Sequence, residues 1–189
     1  VAAGGLAAAL STADGLLLTI ANALSHDVYY KMIDPNAPTA RRVLMSKMLL
    51  LVVAVLAALV AAQKPADILF LVSAAFSFAA AGFFPALVMG IFWKRTTGIA
   101  ATLGMIAGFG VTFYYMIINQ PWLRELVFDI PRAAPITNLW WDIQPISAGI
   151  FGVPLGFIVI ILVSLVTPAP DRSTQELVEN VRYPNLKPA

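Results

Sequence analysis

Long apolar stretches constrain this chain more than any other feature of its sequence. A bilayer span needs about 20 mainly apolar residues. Of the 189 residues, 60% are hydrophobic and only 12% are charged, about half the charged share of soluble domains. We predict an all-α polytopic membrane protein with a cytoplasmic tail over residues 168–189 and five transmembrane helices, over residues 1–24, 43–62, 68–93, 98–118 and 147–166.

The composition also excludes several kinds of chemistry. The chain has no cysteine and a single histidine, which removes disulfides, thiol catalysis and a zinc site built from histidines alone. Its net charge is only +2, and no basic tract is present to grip nucleic-acid phosphates. No nucleophile and base stand together in the pattern of an active site. We therefore expect no enzyme, no cofactor, no nucleic-acid partner and no metal centre.

Basic residues indicate how the spans are oriented. Nine of the lysines and arginines fall in the segment after the first span with the start of the second span, in the turn after the third span and in the tail, against three on the opposite side. The positive-inside rule places the nine in the cytoplasm, together with the C-terminus. We expect a multi-pass protein of the plasma membrane, a bacterial inner membrane. Because Val1 already lies in an apolar stretch, we also expect an N-terminal half that precedes it.

The segment between the fourth and fifth spans is too polar to cross a membrane. It holds four prolines and one candidate short helix near residues 122–128. We interpret Trp122, Trp140 and Trp141 as interfacial anchors of the aromatic belt, not as ligand-stacking residues. In the tail, Ser173 to Glu176 fits a capping box and predicts one short helix.

The first span carries the polar groups that suggest chemistry. At about 100° per residue, Ser11 and Thr12 lie on a face of small residues, opposite a face of leucines. Their hydroxyls and the second lone pair of the Ala8 carbonyl could form half of an oxygen shell for a monovalent cation. Close helix packing with hydrogen bonds between helices explains the same residues equally well, and both interpretations stay open.

Asp14 is the one acidic residue inside any predicted span. A charge in mid-membrane costs about 2.5–3.5 kcal/mol on insertion scales, so such a residue is a functional candidate by default. It lies one turn after Ser11 and could sit behind the cation or take part in coupling. A structural ion pair with a Lys or Arg of the preceding half is the alternative.

Several motifs resemble the sodium:solute symporter family, with the nearest likeness to its cation/acetate symporters. AALSTADGLLL at residues 8–18 and SHDVY at 25–29 resemble the eighth core helix of that family. FPALVMGIFW at residues 84–93 and GIAATLGMIAG at 98–108 resemble the tenth core helix and the helix after it. WWDIQP at 140–145 and LVENVRYP at 177–184 support the likeness to acetate symporters.

The resemblance implies the C-terminal part of a LeuT-like inverted-repeat transporter. It implies a sodium site at Ala8, Ser11 and Thr12, completed by a first core helix that this sequence lacks. It also implies that the helix over residues 68–93 takes part in a gate. Ser77 could then touch the solute, although a hydrogen bond to its own helix is the plainer explanation. Phe83 and Phe84 could plug the gate, or simply pack.

Two further expectations concern the helix backbone. Pro85 removes one hydrogen bond and, beside Gly82, predicts a kink or hinge. Gly104 with Gly108, and Gly152 with Gly156, form two GxxxG patterns, which usually indicate close helix contact.

These observations together predict Na⁺-coupled symport of a small organic anion by alternating access, with acetate or a related short monocarboxylate as the solute. The expected partners are Na⁺ as the coupling ion, the solute, membrane lipid and the N-terminal half of the same protein. A symporter-like sensor domain and a structural membrane subunit without transport remain alternatives.

Overall fold

The computed structural model describes residues 2–182, with side chains except at residues 2, 5, 6, 8, 9 and 181. Residues 2–182 are 80% helical, and no strand occurs among them. This confirms the predicted all-α fold class. The chain forms two compact units, residues 1–65 and residues 66–189.

The first unit contains two long helices and an unusual segment between them. Helix α1 spans Ala2–Asn22, a π-helix follows over Ala23–Ile33, and helix α2 spans Thr39–Ala62. The α-helix ends at Asn22, close to the end of the predicted first span, and the helical backbone continues beyond it with the wider hydrogen-bond pattern of the π-helix. The π-helix stops at Asp34, which precedes a proline and leaves the helical region with φ −137° and ψ 81°.

The second unit is built on three long helices. The segment between α4 and α6 contains one short helix, and the tail contains another. The sequence predicted both, the first near residues 122–128 and the second after residue 173. The α-helices of this unit are α3 Ile68–Phe92, α4 Gly98–Asn119, α5 Pro121–Phe128, α6 Gly149–Val166 and α7 Arg172–Arg182, with 3₁₀ turns at Trp140–Asp142 and Pro145–Ser147.

The tail helix does not use the predicted cap. The backbone carbonyl of Asp171 accepts the amides of Thr174 and Gln175, which places the start of α7 ahead of Ser173. The helix lies against the end of α3. Lys94 forms an ion pair of 2.8 Å with Glu179, and the Arg182 guanidinium sits 5.5 Å from the centre of the Phe92 ring.

Four described segments are long and apolar enough to cross a membrane: Thr39–Ala62, Ile68–Phe92, Gly98–Asn119 and Pro145–Val166. They match the second to fifth predicted spans within a few residues. The first predicted span is helical as α1, and its passage through the membrane remains a prediction, as does the division into spans and tail.

Helices α4 and α6 approach each other along their glycines. A Cβ added to Gly108 would overlap the carbonyl oxygen of Ala81 and lie 2.9 Å from that of Gly152. A Cβ on Gly104 would lie 3.0 Å from the Gly156 carbonyl. The two GxxxG patterns therefore face each other, with α3 closing on the same seam. Gly156 meets the Pro85 ring, so this proline is a packing surface inside an uninterrupted helix.

Hydroxyl groups connect the ends of α3, α4 and α6. The Thr97 side chain accepts the Ala100 amide as the cap of α4, and its oxygen lies 3.1 Å from the Thr167 hydroxyl oxygen. The fully buried Ser164 accepts the Thr97 amide at 3.4 Å. Each of these hydroxyl groups has a partner, which limits the cost of burying it.

One tyrosine of α4 holds the segment between α5 and α6 in place. The Tyr115 hydroxyl donates to the Ile143 carbonyl at 2.5 Å and accepts the Trp140 amide at 3.2 Å. The Trp140 ring packs between Tyr115 and Phe151, with ring centres 5.0 Å and 5.1 Å away. Trp140 is thus partly buried against the core cluster at this end, whereas Trp141 is 83% exposed. The role of the tryptophans as interfacial anchors remains a prediction.

Candidate functional site

The predicted sodium ligands lie on one uninterrupted helix. Helix α1 runs through Ala8, Ser11 and Thr12 without a break, so the Ala8 carbonyl and the two hydroxyls lie within about one turn. Ser11 and Thr12 are both exposed in the first unit. This arrangement presents neutral oxygen atoms on one side of a helix, which suits part of a shell for a hard cation.

The face that carries these residues is open. Among the described residues, no atom lies within 4 Å of a Cβ built on Gly4 or on Gly15. An ion bound at Ser11 and Thr12 would need its remaining oxygen ligands from outside α1. The donor set is hard and uncharged, which fits Na⁺ better than a transition metal.

Two further polar residues extend this face. Asp14 is exposed on α1, where its carboxyl group is accessible to water or to another segment. The Thr19 hydroxyl instead donates to the Gly15 carbonyl at 2.7 Å, one turn back along its own helix. The Thr19 hydroxyl therefore bonds within its own helix. The roles of Ala8, Ser11, Thr12 and Asp14 remain predictions.

The hydroxyl of Ser77 has a partner that the sequence did not predict. It donates to the Ile146 carbonyl at 2.8 Å, in the 3₁₀ turn before α6, instead of to a carbonyl of its own helix. The same turn of α3 approaches Gly149, where a Cβ would lie 3.0 Å from the Ser77 carbonyl oxygen. Ser77 thus holds α3 to the start of α6, and a contact with solute remains a prediction.

The two candidate gate residues differ in their surroundings. Phe84 is 52% exposed and makes an edge-to-face contact with Phe157, with ring centres 5.9 Å apart. Phe83 is 62% exposed and borders a groove of about 740 Å³ between α3 and α4. Every side chain that lines this groove is apolar, Phe78, Phe109 and Phe113 among them. The groove suits apolar contacts and offers no ligand for a cation or a carboxylate.

One cavity in the first unit was not predicted from the sequence. Arg42 and Lys47, which served there only as orientation signals, line a cavity of about 550 Å³ with His26 and Tyr30 of the π-helix. The signal available in the sequence was the run of polar residues on both sides of the prolines at 35 and 38. In the structure, the π-helix brings the polar residues on the two sides of these prolines together.

Charges beside this cavity are largely paired. Asp27 accepts from His26 at 3.1 Å and from Lys31 at 3.0 Å. The hydrogen bond from His26, followed by those from Lys31 and its charge, holds the pKa of Asp27 below its usual value. Asp27 is therefore an anion at neutral pH, already partnered on the exposed side of the π-helix.

The model of the sodium:solute symporter family matches residues 1–108, more than half of the chain and all of α1. The chain belongs to the sodium:solute symporter family. This confirms the family that the sequence motifs suggested. Its likeness to acetate symporters in particular remains a prediction.

Relatives in the family support this membership. The chain is 53% identical to an uncharacterised symporter of Cupriavidus necator over 96% of its own length and 26% of that protein. It is 30% identical to the sodium/proline symporter of Haemophilus influenzae, over 84% of the chain and 29% of that protein. A high-affinity proline transporter of Bacillus subtilis is 36% identical over 54% of the chain and 22% of that protein. The chain thus spans about a quarter of the length of these curated relatives. No solved structure matches it.

Proposed function

We propose that this chain is the C-terminal part of a membrane transporter that couples Na⁺ entry to the uptake of a small organic solute. Membership of the sodium:solute symporter family supports the reaction class. The hydroxyl pair on the open face of α1 is the observation that supports the ion site. The protein would move its substrates without covalent chemistry, in a bacterial plasma membrane and with a cytoplasmic C-terminus.

The oxygen-bearing face of α1 is the coupling element in this proposal. Na⁺ would bind the Ala8 carbonyl and the Ser11 and Thr12 hydroxyls, and a segment that precedes this chain would complete the shell. A bound ion would hold the two segments together and favour one orientation of the transporter; its release would allow the other. The membrane potential contributes about 2.3 kcal/mol per charge per 100 mV. Asp14 would tune the site from one turn away.

The proposed solute is a small molecule with one carboxylate. The motifs at residues 140–145 and 177–184 favour acetate or a similar short monocarboxylate. A second candidate is proline, because relatives 30% and 36% identical carry names that refer to proline transport. Proteoliposomes with the full-length protein and an inward Na⁺ gradient would decide this. Labelled acetate and labelled proline compete for one carrier, and the solute with the larger Na⁺-dependent uptake is the substrate.

Alanine substitutions at the hydroxyl pair test the ion site. In the full-length protein, Ser11→Ala and Thr12→Ala should each raise the Na⁺ concentration for half-maximal uptake. A lost ligand in a low-dielectric site costs about 1–3 kcal/mol, by analogy with hydrogen bonds to charged groups. That cost corresponds to roughly 5- to 150-fold.

Thr12→Ser is the matched control, because it keeps the oxygen and should leave the Na⁺ dependence nearly unchanged. The double alanine variant should reach the membrane and lose Na⁺-coupled uptake. Unchanged Na⁺ dependence in both single alanine variants would assign Ser11 and Thr12 to helix packing instead.

A further inference from the structure

A cavity in the first unit lies between the π-helix and the beginning of α2. Its volume is about 550 Å³. Its lining residues include no carboxylate, but they include two cationic side chains, three hydroxyl groups and one amide. The lining residues are Asn22, Ser25, His26, Tyr30, Arg42, Val43, Ser46 and Lys47.

Arg42 is the best-held of these groups. Its Nε donates to the Ala37 carbonyl at 2.8 Å, and its guanidinium carbon lies 3.5 Å from the centre of the Tyr30 ring. Stacking on an aromatic ring and a fixed Nε leave the two terminal nitrogens in a defined orientation. A guanidinium fixed in this way suits two-pronged binding of a phosphate or carboxylate.

The surrounding hydroxyls are also ordered. Ser25 is buried and donates to the Arg42 carbonyl at 3.3 Å, and Ser46 donates to the Asn22 side-chain oxygen at 3.3 Å. The first bond connects the π-helix to α2, and the second connects the last residue of α1 to α2. Lys47 adds a second positive charge next to Ser46.

The nearby acidic residues already have cationic partners. Asp27 contacts His26 and Lys31, and Asp34 contacts Arg41 at 3.4 Å. The imidazole of His26 is therefore shared with a carboxylate and is not counted as a free charge. Arg42 and Lys47 leave the cavity with an excess of positive charge, which is complementary to an anion.

The position of the cavity along α2 indicates which anion reaches it. Arg42 comes directly before the apolar run of this membrane-length helix, and Lys47 lies little more than one turn inside it. Its long side chain can extend back to the interface. The apolar side chains beside and beyond these cations are exposed, with Leu44, Met48 and Leu51 between 52% and 60% accessible. Cation and apolar surface thus adjoin at the level of lipid headgroups.

We propose that this cavity binds the phosphate headgroup of an anionic phospholipid, with Arg42 and Lys47 as its cationic contacts and the acyl chains along α2. Basic pockets between membrane helices recognise such headgroups through the same chemistry. The site is separate from the proposed sodium site and does not depend on the solute. It requires only that α2 spans the membrane.

Binding of short-chain lipids to the full-length protein in detergent tests the proposal. The probes are dioctanoyl phosphatidylglycerol, dioctanoyl phosphatidylcholine and inorganic phosphate, and the readout is the dissociation constant from titration or native mass spectrometry. We expect phosphatidylglycerol to bind more tightly than phosphatidylcholine. Arg42→Gln and Lys47→Gln should each weaken phosphatidylglycerol binding by roughly 5-fold or more, since one basic residue near a lipid surface contributes about 1 kcal/mol.

Arg41→Gln is the matched control, because it removes the same charge from the adjacent residue, which does not line the cavity and pairs with Asp34. It should leave binding unchanged. If Arg42→Gln fails to fold, the exposed Lys47 still provides the test. Equal binding of the two lipids, an equal loss in Arg41→Gln, or displacement of the lipid by inorganic phosphate at the same concentration would each overturn the proposal.

Discussion

Small residues line helices in both units of this chain, but the surroundings of these residues differ between the units. In the second unit, the glycines of α4 and α6 bring two backbones together, and a Cβ at Gly108 or Gly152 would overlap neighbouring atoms. In the first unit, a Cβ at Gly4 or Gly15 of α1 would meet no described atom within 4 Å. The glycines of α4 and α6 are covered by neighbouring helices, whereas no described atom covers Gly4 or Gly15 of α1.

The difference follows from what accompanies the glycines. The seam of α3, α4 and α6 is apolar apart from hydroxyls with partners, such as that of Thr112, which donates to the Gly108 carbonyl at 2.9 Å. It gains dispersion energy from close approach. The face of α1 carries Ser11, Thr12 and Asp14, which in a membrane must meet protein, water or an ion. A face of small residues therefore indicates that another segment can approach the helix closely. The polar residues on that face indicate whether the neighbour is an apolar helix or a polar group, water or an ion.

The largest expected effect would come from filling the closed seam. Gly108→Ala in the full-length protein should lower stability by about 1–3 kcal/mol or prevent folding, because the atoms that the new methyl group meets include rigid backbone. Thermal unfolding in detergent measures this effect. Gly110→Ala on the same helix is the control, since no described atom lies near its Cβ, and it should be neutral or slightly stabilising.

Gly15→Ala extends the same experiment to the open face. We expect little change in the unfolding temperature. A loss equal to that of Gly108→Ala would show that a segment preceding this chain packs directly on α1, and the contrast between the two faces would disappear.

A further loss of stability should follow from loosening the segment between α5 and α6. Tyr115→Phe removes the hydroxyl that contacts Ile143 and Trp140 and leaves two partly buried backbone groups without that partner. We expect a loss of about 1–3 kcal/mol and faster proteolysis within residues 129–146. Tyr114→Phe is the control, because Tyr114 is 55% exposed. Equal behaviour of the two variants would contradict a structural role for the Tyr115 hydroxyl.

The smallest effect is expected at Ser77. Ser77→Ala breaks the hydrogen bond to the Ile146 carbonyl and should cost about 0.5–1.5 kcal/mol in stability. Any change in transport should appear in the solute concentration for half-maximal uptake, while the intrinsic Na⁺ affinity stays the same. Ser73→Ala, one turn earlier on α3, is the reference variant. A shift confined to Na⁺ affinity would contradict this structural role and assign Ser77 to ion coupling.

The sequence by itself determined the helices and the family. Apolar stretches of membrane length predicted four of the long helices within a few residues, because a helix satisfies its own backbone hydrogen bonds where water is absent. Prolines and polar runs predicted the loop and its short helix, and local motifs identified the symporter family. The hydroxyl pair of α1 was also visible, because residues 11 and 12 are adjacent in any helix.

The tertiary structure decided which groups meet across helices. The sequence contained both GxxxG patterns but could not show that they face each other, that Ser77 would bond to Ile146, or that Trp140 would pack on Tyr115. It also gave no sign that the backbone after α1 would widen into a π-helix and bring Tyr30 over Arg42. Periodicity fixes which face a residue occupies on its own helix. Contacts between distant residues depend on how whole helices pack, and that free energy is shared among many side chains.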